Sequence, residues 1–111
     1  MRVVIFGGTT EGRRLSEMLS QTGTTHHLCV ATVYGADLMD DNPPFMTLHT
    51  GRMDRAEMKR FFEECCLGDG DIVVDATHPY ATEVSKNIAA ALPQGCTMVV
   101  VQREGCVDCE V

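Results

Sequence analysis

Val3-Val4-Ile5-Phe6-Gly7-Gly8-Thr9-Thr10-Glu11-Gly12-Arg13 is the stretch that decides the fold of this chain. Four apolar residues without polar alternation read as a strand buried on both faces. Gly7 and Gly8 end the run. From Thr10 to Gln21 the pattern turns helical, with Leu15, Met18 and Leu19 at i, i+3, i+4 spacing and Gly23 as a stop. Glycines at such a turn let the backbone bend sharply and approach a ligand. The helix start offers free N–H groups and a positive dipole end, a setting that suits a phosphate. The spacing is not that of the G-x-G-x-x-G fingerprint, although Gly7 and Gly12 hold its first and last positions, and Thr9 and Thr10 supply hydroxyls where a phosphate would sit. A plain strand-to-helix turn with a threonine cap is the alternative reading.

The same alternation continues along the chain. Leu28-Cys29-Val30-Ala31 reads as a second strand, 34–44 as a loop with a helical turn at 36–39, and 45–49 as an exposed edge strand. Residues 54–66 form a second helix with Met58, Phe61, Phe62 and Cys65 on one face; Asp54 and Glu57 make a capping box at its start. Ile72-Val73-Val74 is a fourth strand, 79–92 a third helix with Ala81, Val84, Ile88 and Ala91 inward, and 98–101 a fifth strand. Alternating β and α elements imply a parallel sheet covered on both faces. The expectation is a Rossmann-like three-layer α/β/α domain over residues 1–102, with strand order 3-2-1-4-5 and a tail at 103–111. The flavodoxin-like order 2-1-3-4-5 is the alternative.

Composition narrows the function classes. A net charge of −7 argues against nucleic-acid binding, whose proteins carry basic surfaces. No apolar run reaches the roughly 20 residues that span a bilayer, and Met1-Arg2 leads straight into a strand, so neither a membrane segment nor a secretory signal is expected. The six cysteines then read as reduced thiols of a cytoplasmic protein. No metal site is expected: Cys106 and Cys109 lack a second pair, and adjacent His26 and His27 point to opposite faces of a strand.

Asp75-Ala76-Thr77-His78-Pro79-Tyr80-Ala81 places a carboxylate, a hydroxyl, an imidazole and a phenol at the carboxyl end of the fourth strand, where open α/β sheets bind ligands. His78 is a candidate proton donor, with Tyr80 a weaker one; in the blander reading Asp75 and Thr77 cap the third helix. The second strand ends without the acid that grips the ribose hydroxyls of NAD. That absence leaves room for a 2′-phosphate, which Arg13 or Arg14 would neutralise, and leans the reading toward NADPH over NADH.

Four blocks, in order over nearly the whole chain, resemble the precorrin-6A reductases, a family that includes the cobalt-precorrin-6A reductases of the anaerobic route to cobalamin. They are Gly7-Gly8-Thr9-Thr10-Glu11-Gly12-Arg13, Ala31-Thr32-Val33-Tyr34-Gly35, His49-Thr50-Gly51-Arg52-Met53-Asp54 and Asp75 to Ala81, with Ser85 and Asn87 following. The resemblance implies a reduced nicotinamide delivering hydride to a carbon–carbon double bond of a tetrapyrrole. It places the cofactor on Gly7, Gly8, Thr9, Thr10, Glu11, Gly12, Arg13, Thr32, Asp75 and Thr77. It places the substrate on Arg52, His78, Pro79, Tyr80, Ser85 and Asn87. Family members are about twice as long and have two Rossmann-like domains, so this chain is expected to hold the first and to need the second, or a partner chain, to close its cleft. The competing expectation is a truncated, non-catalytic nucleotide-binding or interaction module.

Overall fold

The computed structural model of the chain describes residues 1–31, 45–78 and 81–101; Thr32, Pro79, Tyr80, the turn expected at 36–39, the tail and the Cys106 and Cys109 pair lie outside them. Five strands, β1 Val3–Phe6, β2 His26–Val30, β3 Met46–Thr50, β4 Ile72–Asp75 and β5 Thr97–Val100, form one sheet. All neighbours run parallel, in the order β3-β2-β1-β4-β5. This is the Rossmann-like order, with β1 in the centre. Among the described residues three helices, α1 Thr10–Gln21, α2 Arg55–Glu64 and α3 Thr82–Ala91, pack on the sheet.

Strand periodicity divides the core into two halves. Val4, Phe6, Cys29 and Val73 point to one face, where they meet Met58 and Phe62 of α2 and Ile88 and Ala91 of α3. Phe62 is fully buried and packs edge-to-face on Phe6, ring centroids 5.9 Å apart. Val3, Ile5, Leu28, Val30 and Val74 point to the other face, where Leu15 and Leu19 of α1 pack.

The buried stripe of α1 corrects one expectation. It consists of Gly12, Ser16 and Ser20, while Met18 is 60% exposed. Small residues at i, i+4, i+8 let the helix lie close to the sheet, and Leu15 and Leu19 flank that stripe. Met18 falls on the far side of Leu15. The close approach is used: Ser16 Oγ lies 2.6 Å from His26 Nε2, and His26 Nδ1 donates to the Thr24 carbonyl at 2.9 Å. A carbonyl can only accept, so in the neutral ring Nδ1 is the donor and Nε2 the acceptor of the serine hydroxyl.

Local signals set the helix ends. Thr9 is the N-cap of α1, its hydroxyl accepting from Gly12 N–H. Asp54 and Glu57 form the expected reciprocal capping box of α2. Before β4, Asp71 is buried and accepts from the Arg2 and Gly68 amides, which hold its carboxyl below the usual range. The third helix differs from expectation: it runs Thr82–Ala91, and its N-cap, Ala81, has no side-chain cap bond.

Candidate functional site

The carboxyl ends of β1, β2 and β4 are tied together beyond the strands themselves. Gly7 N–H donates to Cys29 O at 2.8 Å, Gly51 N–H to Val30 O at 2.9 Å and Ala76 N–H to Phe6 O at 2.8 Å. Above this crest opens a crevice of about 530 Å³, within the size range of small-molecule sites. Its floor is Phe6, Gly7, Cys29 and Val30; one side is Ala31, Gly51, Arg52 and Met53, and the other is Thr77, His78, Ala81 to Val84 and Asn87.

Each glycine of the first turn has a different task. A Cβ on Gly7 would sit 2.9 Å from Leu28 Cδ1 and one on Gly12 3.1 Å from Gly7 Cα, so both permit close packing of helix, turn and strand. Gly8 has φ +105 and nothing within 4 Å of where a Cβ would be. Its backbone therefore faces open space in a conformation that L side chains rarely adopt.

Thr9 has another employment than the one expected. Its hydroxyl donates to Ala76 O at 2.6 Å and accepts from Gly12 N–H at 3.3 Å. It joins the β1 turn to the β4 turn and does not line the crevice. Thr10, Glu11, Gly12 and Arg13 do not line it either, whereas Gly7 and Gly8 do.

The β4 turn is organised by a buried carboxylate. Asp75 is 2% exposed and accepts from Thr77 N–H at 3.1 Å, Thr77 Oγ1 at 2.6 Å and Ser85 Oγ at 2.5 Å. Neither Asp75 nor Ser85 lines the crevice. The two clamp the turn onto α3, and Thr77, His78 and Asn87 stand at the wall so formed. Sequence reasoning missed the apolar lining of Met53, Met58 and Val84, of which Met58 and Val84 stand at helical spacing that reads as core.

Electrostatically the crevice is sparse. Arg52 and Glu83 are the charged side chains among its described lining residues. Cys29 in the floor is buried, and desolvation, with Cys65 nearby, pushes its thiol up to about 12. It is an apolar lining group, not a thiolate nucleophile. Beneath the β2–β3 side, His27 Nδ1 and His49 Nε2 are 2.9 Å apart, with Phe61 against both rings. Among the described residues there is no cluster of three or more metal-ligating side chains, and no helix is long and apolar enough to cross a membrane.

Sheet order and crevice together define a Rossmann-like α/β domain, open at the carboxyl end of its strands. Comparison with known proteins is more particular. The chain belongs to the precorrin-6x reductase CbiJ/CobK family, whose model matches residues 2–110. It is 29% identical over 101 residues to a cobalt-precorrin-6A reductase of Methanothermobacter thermautotrophicus, covering 90% of this chain and 32% of that protein. It is 33% identical over 89 residues to the cobalt-precorrin-6A reductase of Salmonella typhimurium, covering 80% and 32%. With a precorrin-6A reductase of Rhodococcus erythropolis it shares 32% over 104 residues, covering 92% and 40%. The chain therefore spans between a third and two fifths of the length of these relatives. No solved structure matches it significantly.

Proposed function

We propose that residues 1–102 are the nucleotide-binding domain of an NAD(P)H-dependent reductase that reduces a ring double bond of precorrin-6A or its cobalt form. The single observation that carries this reading is the crevice over Gly7 and Gly8 at the centre of a parallel sheet, in a chain of the precorrin-6x reductase family. A second domain, in the same or a partner chain, supplies the facing wall and completes the tetrapyrrole site. The relatives' greater length supports this.

The residues present fit a nicotinamide dinucleotide. Gly8 offers bare backbone toward open space, and α1 starts immediately beyond it with its dipole positive at that end. When bound, a reduced nicotinamide supplies the hydride. The protein's part is to hold, orient and exclude water. Phe6, Val30, Met53, Met58 and Val84 give the crevice an apolar lining. Thr77 and His78 stand at the β4 side, their turn fixed by Asp75 and Ser85. His78, at the crevice wall beside Thr77, is the candidate to deliver the proton that accompanies hydride.

Titrating the 111-residue chain with NADPH and NADH, read by the cofactor's own fluorescence, tests the reading. Saturable binding of at least one supports it. Absence of saturation with both overturns the nucleotide assignment. Binding without turnover of a precorrin-6A substrate, even with the missing portion of a relative added, favours a non-catalytic nucleotide-binding module.

A further inference from the structure

Resting on the nucleotide reading above, we propose that Arg52 selects NADPH over NADH by taking the 2′-phosphate of its adenosine ribose. Three observations carry this. First, β2 ends at Val30 and Ala31 follows it, so the described end of that strand offers no carboxylate to the ribose hydroxyls where NAD sites place one. A carboxylate there would repel a 2′-phosphate, and an arginine nearby would accept it.

Second, Arg52 is carried to that end of the crevice by the backbone. Gly51, at φ +129, turns the chain out of β3 while its N–H donates to Val30 O at 2.9 Å. Arg52 is the next residue, and it lines the crevice together with Ala31 and Gly8. Its planar guanidinium matches two phosphate oxygens at once.

Third, the other arginines proposed for this task are elsewhere. Arg14 is exposed on α1 and Arg13 lies part-buried on the same helix, and neither lines the crevice. Glu83, the other charged lining residue, belongs to α3, which follows β4 on the opposite side of β1 from β3. In a chain of net charge −7, a doubly charged phosphate needs a local cation, and among the described residues Arg52 is the one the crevice presents at this end.

The test compares adenosine 2′,5′-bisphosphate with 5′-AMP, which differ only in the 2′-phosphate, by calorimetric titration of the 111-residue chain. Wild type is expected to bind the bisphosphate more tightly. Arg52→Gln is expected to weaken the bisphosphate about 10- to 100-fold, the range for losing a charge-assisted hydrogen-bond pair, and to leave 5′-AMP within about threefold. Arg52→Lys is expected to restore part of the preference, and Arg14→Gln to leave it intact. Unchanged thermal melting of Arg52→Gln shows that the fold is retained. Equal loss of both ligands, or an undiminished preference in Arg52→Gln, overturns the assignment while leaving nucleotide binding in place. Failure of the wild type to bind either ligand overturns the nucleotide reading itself, and the assignment with it.

Discussion

Removing the Ser85 hydroxyl tests whether the Asp75 clamp holds the β4 turn. The Asp75 carboxylate is 2% exposed and accepts three hydrogen bonds, two from Thr77 and one from Ser85. Ser85→Ala leaves the two from Thr77 and deletes the only one that reaches α3. A hydrogen bond to a charged group contributes about 1.5–3 kcal/mol, and alanine recovers roughly 0.5 kcal/mol of helix propensity over serine. The expected net loss is about 1–2.5 kcal/mol, measured by urea unfolding of wild type and variant. Ser85→Thr, which keeps the hydroxyl, is expected to lose less. A double-mutant cycle of Ser85→Ala with Asp75→Asn should show coupling of about 0.5–3 kcal/mol, since the two residues share one bond. A Ser85→Ala variant within about 0.5 kcal/mol of wild type, or strictly additive single changes, would refute the reasoning.

Further expectations concern the core, the histidine pair and the thiols. Phe62→Ala, at a fully buried ring against Phe6, should cost about 3–5 kcal/mol and leave the chain close to unfolded; a stable variant by circular dichroism would contradict the packing. Desolvation, then the charges of His49 and His26, holds His27 below the ordinary imidazole value of 6.5, and desolvation does the same for His49. Below 6.5 the unfolded chain then binds more protons than the folded one, so this stability is complete above 6.5 and declines as pH falls through the folded-state values. Urea midpoints should drop between about pH 7.5 and about pH 5.5, and His49→Gln should flatten the drop; equal slopes would exclude the pair as its source. Cys29, buried and pushed up to about 12, should resist iodoacetamide in the native chain and react once urea unfolds it. Peptide mapping that finds Cys29 labelled at the rate of exposed Cys66 would contradict its burial.

Features written in adjacent residues could be read from the sequence. The strand Val3–Phe6, the helix Thr10–Gln21 and the Asp54 and Glu57 capping box all stand as their local patterns predict. Period-2 alternation also sends His26 toward α1 and His27 toward α2. Features depending on distant partners could not be read. The bond from Thr9 to Ala76 was out of reach because the acceptor lies 67 residues away. The bond from Ser85 to Asp75 was equally hidden, since nothing nearby in sequence indicates it. Met18 was placed inward by hydropathy, yet the packed face of α1 is chosen by small size, which lets Ser16 reach His26. Of the residues expected to hold ligands, Gly7, Gly8, Arg52, Thr77, His78 and Asn87 share one crevice. Asp75 and Ser85 brace it from behind.

The hydroxyl of Thr9 is a rivet between two crossovers. One end accepts from the first turn of α1 and the other donates to Ala76, while Ala76 N–H is anchored to Phe6 O. The seam between β1 and β4 is thereby closed on both the backbone and the side-chain level, and a molecule settling into the crevice cannot wedge these two strands apart. A ligand there meets a floor already in its final shape and loses little free energy to ordering it. Adaptation to different occupants falls instead to long side chains at the margins, such as Arg52 and Met53.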